Sequence, residues 1–326
     1  ILKSVLLSTL IIESFGTVLL FFRFSQDFSP GQAFYHSIYN AISAFNNCGY
    51  SLFSDNLIQY QSDVIVNITI MGLIVLGGIG FIVQHEVLSR MRNTRNRLSL
   101  HTKIVLATTG ILVVGGAVLF YLFEKNNIIR DASWQSKVLI SLFQSITPRT
   151  AGFNTVDIGQ LTNDTILLLM TLMFIGASPG STGGGIKTTS TALLFFVLWN
   201  RLKGQEEVSV FNRTIPRETI TRAISIIFAS AFSIALITSI VLLAGPKTNP
   251  SESRNLFVEY LFDTISAFGT VGLTMGITPK LSDLQKILIM IMMFVGRVGP
   301  LTLAFSLSIQ ASKKSIVYAE ENIMVG

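Results

Sequence analysis

Ile42-Ser43-Ala44-Phe45-Asn46-Asn47-Cys48-Gly49, Ser145-Ile146-Thr147-Pro148-Arg149-Thr150-Ala151-Gly152 and Ile265-Ser266-Ala267-Phe268-Gly269-Thr270-Val271-Gly272 superpose on a shared final glycine. Each closes a short amphipathic segment, over 34–45, 134–146 and 255–268. Apolar runs flank each one: 2–24 and 64–91, then 100–123 and 164–202, then a run from near Thr214 and another over 284–309. One order of apolar helix, short helix, glycine loop and second apolar helix thus occurs three times.

The short middle helices fall below the roughly 20 residues a helix needs to cross a bilayer, so each enters and leaves on one side. Irregular backbone at membrane depth survives only where protein or water covers it, so the loops after these half-helices are expected to line a wet cavity. Glycine reaches positive φ without steric penalty and lets a chain turn successive carbonyls toward one axis. Such oxygens replace the water shell of a monovalent cation, and the negative C-terminal ends of the half-helices favour a cation over an anion. One glycine after a helix is ordinarily a helix cap; three in register, each followed by a long apolar helix, outweigh that explanation. The expected ion-binding carbonyls lie at Asn47, Cys48 and Gly49, at Thr150, Ala151 and Gly152, and at Thr270, Val271 and Gly272. Among the side chains, those of Asn47 and Cys48 are expected to pack behind the filter.

Composition agrees. Hydrophobic residues make up 50% of the 326 and charged residues only 13%, about half the share of a soluble domain. The net charge of +6 does not point to nucleic acid, because the basic residues gather in short loops between apolar runs. The loop 89–103 carries Arg90, Arg92, Arg95, Arg97 and Lys103 without an acid, and 200–222 adds Arg201, Lys203, Arg213, Arg217 and Arg222. By the positive-inside rule both are cytoplasmic, whereas 25–63, free of Lys and Arg, faces outside together with the two mixed-charge connectors. Arg149 is expected in an outer loop, as a steering charge or an anchor. The single cysteine, Cys48, excludes an internal disulfide. Ile1 is not an initiator methionine, and the expectation is that the natural protein begins upstream.

Gly176, Ser178, Pro179, Gly180, Ser181, Thr182, Gly183, Gly184 and Gly185 interrupt the helix after the second loop with a composition that cannot remain regular helix. The break falls mid-span, beneath the filter, where a flexible segment would block or clear an ion path; the expectation is a gate, against the plainer alternative of a kink. Arg297 lies among Met292, Met293, Phe294 and Val295, where a guanidinium facing lipid is costly. It is expected to turn inward, bind the carbonyls of the glycine-rich loop and add an electrostatic barrier. Lys187 is left open between an inner-mouth charge and a snorkelling lysine. The run 180–185 nearly spells a phosphate-binding loop, but Ile186 stands where Lys is required, and His85-Glu86 lacks the second His of a zinc-protease motif.

Asn47-Cys48-Gly49-Tyr50, Thr150-Ala151-Gly152-Phe153, Thr270-Val271-Gly272-Leu273 and the run from Gly176 to Thr188 resemble the Trk/Ktr/HKT potassium-transporter superfamily, most of all the membrane subunits of Ktr systems. The resemblance implies an all-α integral membrane fold of repeated helix, pore-helix, helix units around a pseudo-fourfold axis. Three units are visible, over 1–97, 98–205 and 206–310, with 311–326 as a cytoplasmic tail; an N-terminal repeat is missing. It further implies potassium (K+) as the substrate ion, sodium (Na+) as an activating ion, no covalently bound cofactor, a homodimer surrounded by lipid in a bacterial plasma membrane, and a cytoplasmic ring of nucleotide-binding (KtrA-like) regulatory subunits carrying ATP or ADP. Each loop has one glycine where potassium channels have Thr-Val-Gly-Tyr-Gly, so weaker discrimination against sodium is expected. Two rivals are an intramembrane enzyme, which lacks a recognisable catalytic pair, and an alternating-access carrier, which ordinarily shows inverted repeats.

Overall fold

Helix starts are set by short polar caps. In the computed structural model, which describes residues 2–300 apart from 94, 95, 206, 247 and 248, α1 (Leu2–Phe24) leads to α2 (Pro30–Phe45), α3 (Val64–Gly78) and α4 (Phe81–Arg92). Next come α5 (Leu100–Glu124), α6 (Trp134–Ile146), α7 (Asn163–Phe174) and α8 (Thr188–Leu202), then α9 (Arg217–Leu243), α10 (Pro250–Phe268) and α11 (Asp283–Val298). The side chains of Asp63, Ser99, Ser133, Thr162 and Ser282 accept backbone N–H bonds at the starts of α3, α5, α6, α7 and α11, satisfying donors that a helix start leaves open. Proline in the first turn of α2 and α10 sacrifices no helical bond there. Both helices accordingly start earlier than the sequence patterns at 34 and 255 predict.

The same order appears three times: long helix, short helix, loop, a single 3₁₀ turn (Ile58–Tyr60, Ile158–Gln160, Thr278–Lys280), and a further helix. Two expectations need correction. The run over 64–91 is not one helix: α3 and α4 meet at 105°, because Gly80 takes φ +91° and redirects the chain. The all-α expectation also omits a small hairpin, in which β1 (Ser209–Val210) pairs antiparallel with β2 (Arg213–Thr214) across Phe211 and Asn212, both at positive φ. Helix α11 stops at Val298 before Gly299 at φ +91°. Its expected extension over 301–309 and the tail 311–326 lie outside the described residues.

Buried phenylalanines join neighbouring sets. Phe24 and Phe45 of the first share a cluster with Phe143 and Phe153 of the second, and Phe120, Ile166 and Met173 pack with Phe262 and Val271 of the third. The outside is apolar instead of charged: Phe15 on α1 is 66% exposed, Ile111 on α5 72% and Phe228 on α9 73%. Such a surface suits hydrocarbon, not water. Among the described residues α1, α5 and α9 are long and apolar enough to cross a bilayer, and α3 with α4 makes a fourth, broken candidate. At one end the segments that lead into the first two 3₁₀ turns are joined by a bond from Leu57 N to Asn154 O at 3.1 Å. At the other end Lys103 lies 5.8 Å from the Phe211 ring, bringing together the two basic loops.

Candidate functional site

The three loops share a backbone signature. Positive φ occurs at Asn47 (+52°) and Gly49 (+73°), at Thr150 (+71°) and Gly152 (+83°), and at Thr270 (+52°) and Gly272 (+92°). Left-handed backbone is uncommon for Asn and rarer for β-branched Thr, so three repetitions mark a conformation imposed by the surroundings. The half-helices supply it: Cys48 N donates to Ser43 O and Val271 N to Ser266 O, both at 2.9 Å, and Ala151 N to Thr147 O at 3.0 Å.

The loops also touch. A Cβ on Gly49 would collide with the Ala151 carbonyl oxygen, and one on Gly152 with the Val271 carbonyl oxygen. Two of the glycines are therefore required both for φ and for the approach of the neighbouring loop. Asn47 is buried, and its amide donates to Thr150 Oγ1 at 3.1 Å and to Arg149 O at 3.3 Å, so its side chain joins the first loop to the second. Cys48 is different: its side chain is exposed, not packed behind the loop. For Arg149 the structure favours the anchor over the steering charge. The residue is 5% exposed and donates through Nη2 to Thr109 Oγ1 on α5 at 3.2 Å, because it directly precedes Thr150 in the loop and points back into the helix packing. Beyond the third loop, the Asp263 carboxylate accepts from Thr274 Oγ1 at 3.1 Å and Thr278 Oγ1 at 2.6 Å, pinning the segment that leaves the loop.

The glycine-rich run between α7 and α8 lies against all three loops. Thr182 Oγ1 is within 3.3 Å of both Phe45 O and Asn47 Oδ1. A Cβ on Gly183 would strike Thr150 Oγ1, and Gly184 N donates to Thr270 Oγ1 at 3.1 Å. The other edge is held by Ser178 N to Gly78 O at 3.0 Å and Gly185 N to Gly296 O at 3.2 Å, and Phe81 N donates to Gly180 O at 3.1 Å. Within the run, Ile175 and Ile186 form a parallel bridge and Ser178 Oγ lies 2.9 Å from Thr188 Oγ1, so the segment leaves and rejoins its helix at one place. This is a folded loop and not a kink. Arg297 Nη1 donates to Thr182 O at 2.5 Å and Lys187 Nζ to Gly183 O at 2.7 Å, so both cations grip the carbonyls of the run.

Glu13 was not singled out by the sequence patterns, although an acid in the middle of an apolar span is a functional signal by itself. Its Oε1 accepts from Asn46 Nδ2 at 2.8 Å, immediately before Asn47.

Apolar outer helices, shorter helices between them and three touching loops packed against one glycine-rich segment define a helical membrane protein. The chain belongs to the TrkH family, described as cation transport protein, whose model matches residues 1–318. It is 37% identical over 328 residues to Ktr system potassium uptake protein B of Vibrio alginolyticus, covering 100% of this chain and 70% of that protein. It is 36% identical over 320 residues to the potassium/sodium uptake protein NtpJ of Enterococcus hirae, covering 97% and 69%. The solved potassium transporter TrkH of Vibrio parahaemolyticus has the same fold, with a TM-score of 0.78 at 17% identity over 94% of this chain and 64% of that one. As a member of a transport family, the protein is not an enzyme, and the intramembrane-enzyme rival is set aside.

Proposed function

We propose that this chain takes up potassium, as the pore-forming subunit of a regulated uptake system. The observation that carries the proposal is the convergence of three loops with one φ signature, so closely that Gly49 and Gly152 have no room for a Cβ against their neighbours' carbonyls. Carbonyls at Asn47–Gly49, Thr150–Gly152 and Thr270–Gly272 replace the ion's hydration shell. The names of the similar proteins support potassium as the substrate, and the potassium/sodium uptake protein among them supports sodium as a second or activating ion.

The segment from Gly176 to Gly185, with Arg297, acts as the gate. Its support is position: it bonds to the first and third loops and packs Gly183 against Thr150 of the second, and the guanidinium holds it in place through Thr182 O. Opening requires those bonds to be released together. The three sets correspond to units over 1–97, 98–205 and 206–310 arranged about a pseudo-fourfold axis, in a multi-pass protein of the bacterial plasma membrane. That the chain covers 70% of its longer relative supports a fourth unit in the ring. A homodimer and a cytoplasmic KtrA-like ring that binds ATP or ADP complete the proposed system; the word "system" in the relative's name supports an assembly of more than one subunit.

The test is rubidium uptake into proteoliposomes by the full-length protein, competed by potassium, sodium and lithium, beside Gly272→Ser. Potassium is expected to compete best, and the serine, at φ +92°, to erode that preference about tenfold. Absence of cation flux with and without nucleotide and regulatory subunit would defeat the proposal.

A further inference from the structure

Glu13 is an ionisable side chain at membrane depth that neither the filter nor the gate employs. It is the only charged residue between Val5 and Phe22 on α1, and a carboxyl retained in such a span has a polar partner. The partner is Asn46, whose amide donates to Glu13 Oε1 at 2.8 Å and to Ile42 O at 3.0 Å. Asn46 caps α2 and directly precedes Asn47, which stands at φ +52°. Asn47 in turn donates to Thr150 Oγ1 and accepts from Thr182 Oγ1, and the Thr182 carbonyl receives Arg297.

The corresponding position in the second loop is Arg149, which also reaches the first helix of its own set, at Thr109 on α5. In the third loop the position is Gly269, which has no side chain to send; a Cβ there would press on Met173 O. Tethering a loop to its own outer helix is thus done twice, by side chains of different chemistry. The first tether depends on Glu13.

We infer that Glu13 is a positioning residue for the first loop: its hydrogen bond fixes Asn46 and thereby the orientation of the carbonyls at Asn47 and Cys48. The inference rests on the proposal that those carbonyls bind the ion. The carboxylate acts as an acceptor, not as a charge, so an amide acceptor in the same place does the same work. Lipid anchoring would ask something else of this residue, since it would need no particular partner in the loop.

The experiment compares full-length wild type, Glu13→Gln, Glu13→Ala, Asn46→Ala and the Glu13→Ala/Asn46→Ala double variant in proteoliposomes, reading rubidium uptake against potassium and sodium competition. Glu13→Gln is expected to keep the wild-type potassium preference, and Glu13→Ala to lower it about fivefold, the effect of one hydrogen bond. The double variant is expected to be no less selective than either single change, because both remove one interaction. Unchanged preference in Glu13→Ala, with only lower yield or thermal stability, would overturn the inference in favour of a purely structural role. Equal loss in Glu13→Gln and Glu13→Ala would overturn the acceptor mechanism. A wild type without cation preference would remove the filter itself and the tether with it, and the wild-type arm alone reveals that outcome.

Discussion

Among the described residues, the helices that follow the three loops all break near a shared glycine, and the middle break opens into a structure of its own. Counting from the N-caps Asp63, Thr162 and Ser282, the fourteenth residue onward is glycine each time: Gly77 (63 to 77), Gly176 (162 to 176) and Gly296 (282 to 296). In the first and third sets this glycine presses on the half-helix: a Cβ on Gly77 would meet Phe45 O, and one on Gly296 would meet Phe268 O. Three residues further, Gly80 and Gly299 both stand at φ +91°. In the first set the helix resumes at once as α4. In the middle set a Cβ on Gly176 would meet Gly184 O, an atom of the glycine-rich run itself. The difference teaches that a helix break is a common feature of the sets, while the inserted segment between α7 and α8 is the special one, occupying the space beneath all three loops.

The largest expected effect that would break this comparison comes from Gly296→Ala. The added methyl meets backbone atoms of Phe268, which cannot move without displacing the third loop, so rubidium uptake is expected to fall at least tenfold. Uptake at wild-type level would show that the close approach is dispensable. Next comes Arg297→Ala. Removing the bond to Thr182 O frees one edge of the inserted segment, and uptake without nucleotide or partner subunit is expected to rise about tenfold, matching one charge-assisted bond. A fall, or no change, would assign the arginine to packing alone. The smallest expected effect on transport is that of Glu124→Ala, at the far end of α5. This carboxylate is fully buried and accepts from Thr162 N and Oγ1, Thr165 Oγ1 and Asn127 Nδ2. Its loss is expected to cost about 2–4 kcal/mol in thermal or denaturant unfolding, with the ratio of potassium to sodium competition unchanged. A shifted ratio would extend the selective region well beyond the loops.

Much of this was legible in the sequence because it rests on one-dimensional signals. Helix α1 and the short helix α6 fall at 2–24 and 134–146, where apolar runs and caps place them, and the three glycine loops lie where the alignment on Gly49, Gly152 and Gly272 sets them. The break between α3 and α4 escaped because Gly77-Gly78-Ile79-Gly80 sits in an apolar run whose hydropathy continues across it; a cluster of three glycines was the available signal. Cys48 was misjudged, and Arg149 left open between steering and anchoring, for another reason. Each lies in a loop, and whether a loop side chain turns inward or outward depends on which helix packs beside it, such as α5 with Thr109. Sequence spacing carries no record of that. Glu13 was within reach, since a lone acid in an apolar span needs a partner, but the partner, Asn46, is identified only by the fold.

The contact between neighbouring loops has a consequence for how this protein can change over generations. Because Gly49 abuts Ala151 O and Gly152 abuts Val271 O, a substitution in one loop is judged by the shape of the next, and the effects of paired changes will not add. Such epistasis means that a variant harmful alone can be neutral in a background where the adjoining loop has shifted. Drift in ion preference would then proceed by coordinated steps in adjacent loops, with single replacements at these glycines acting as dead ends.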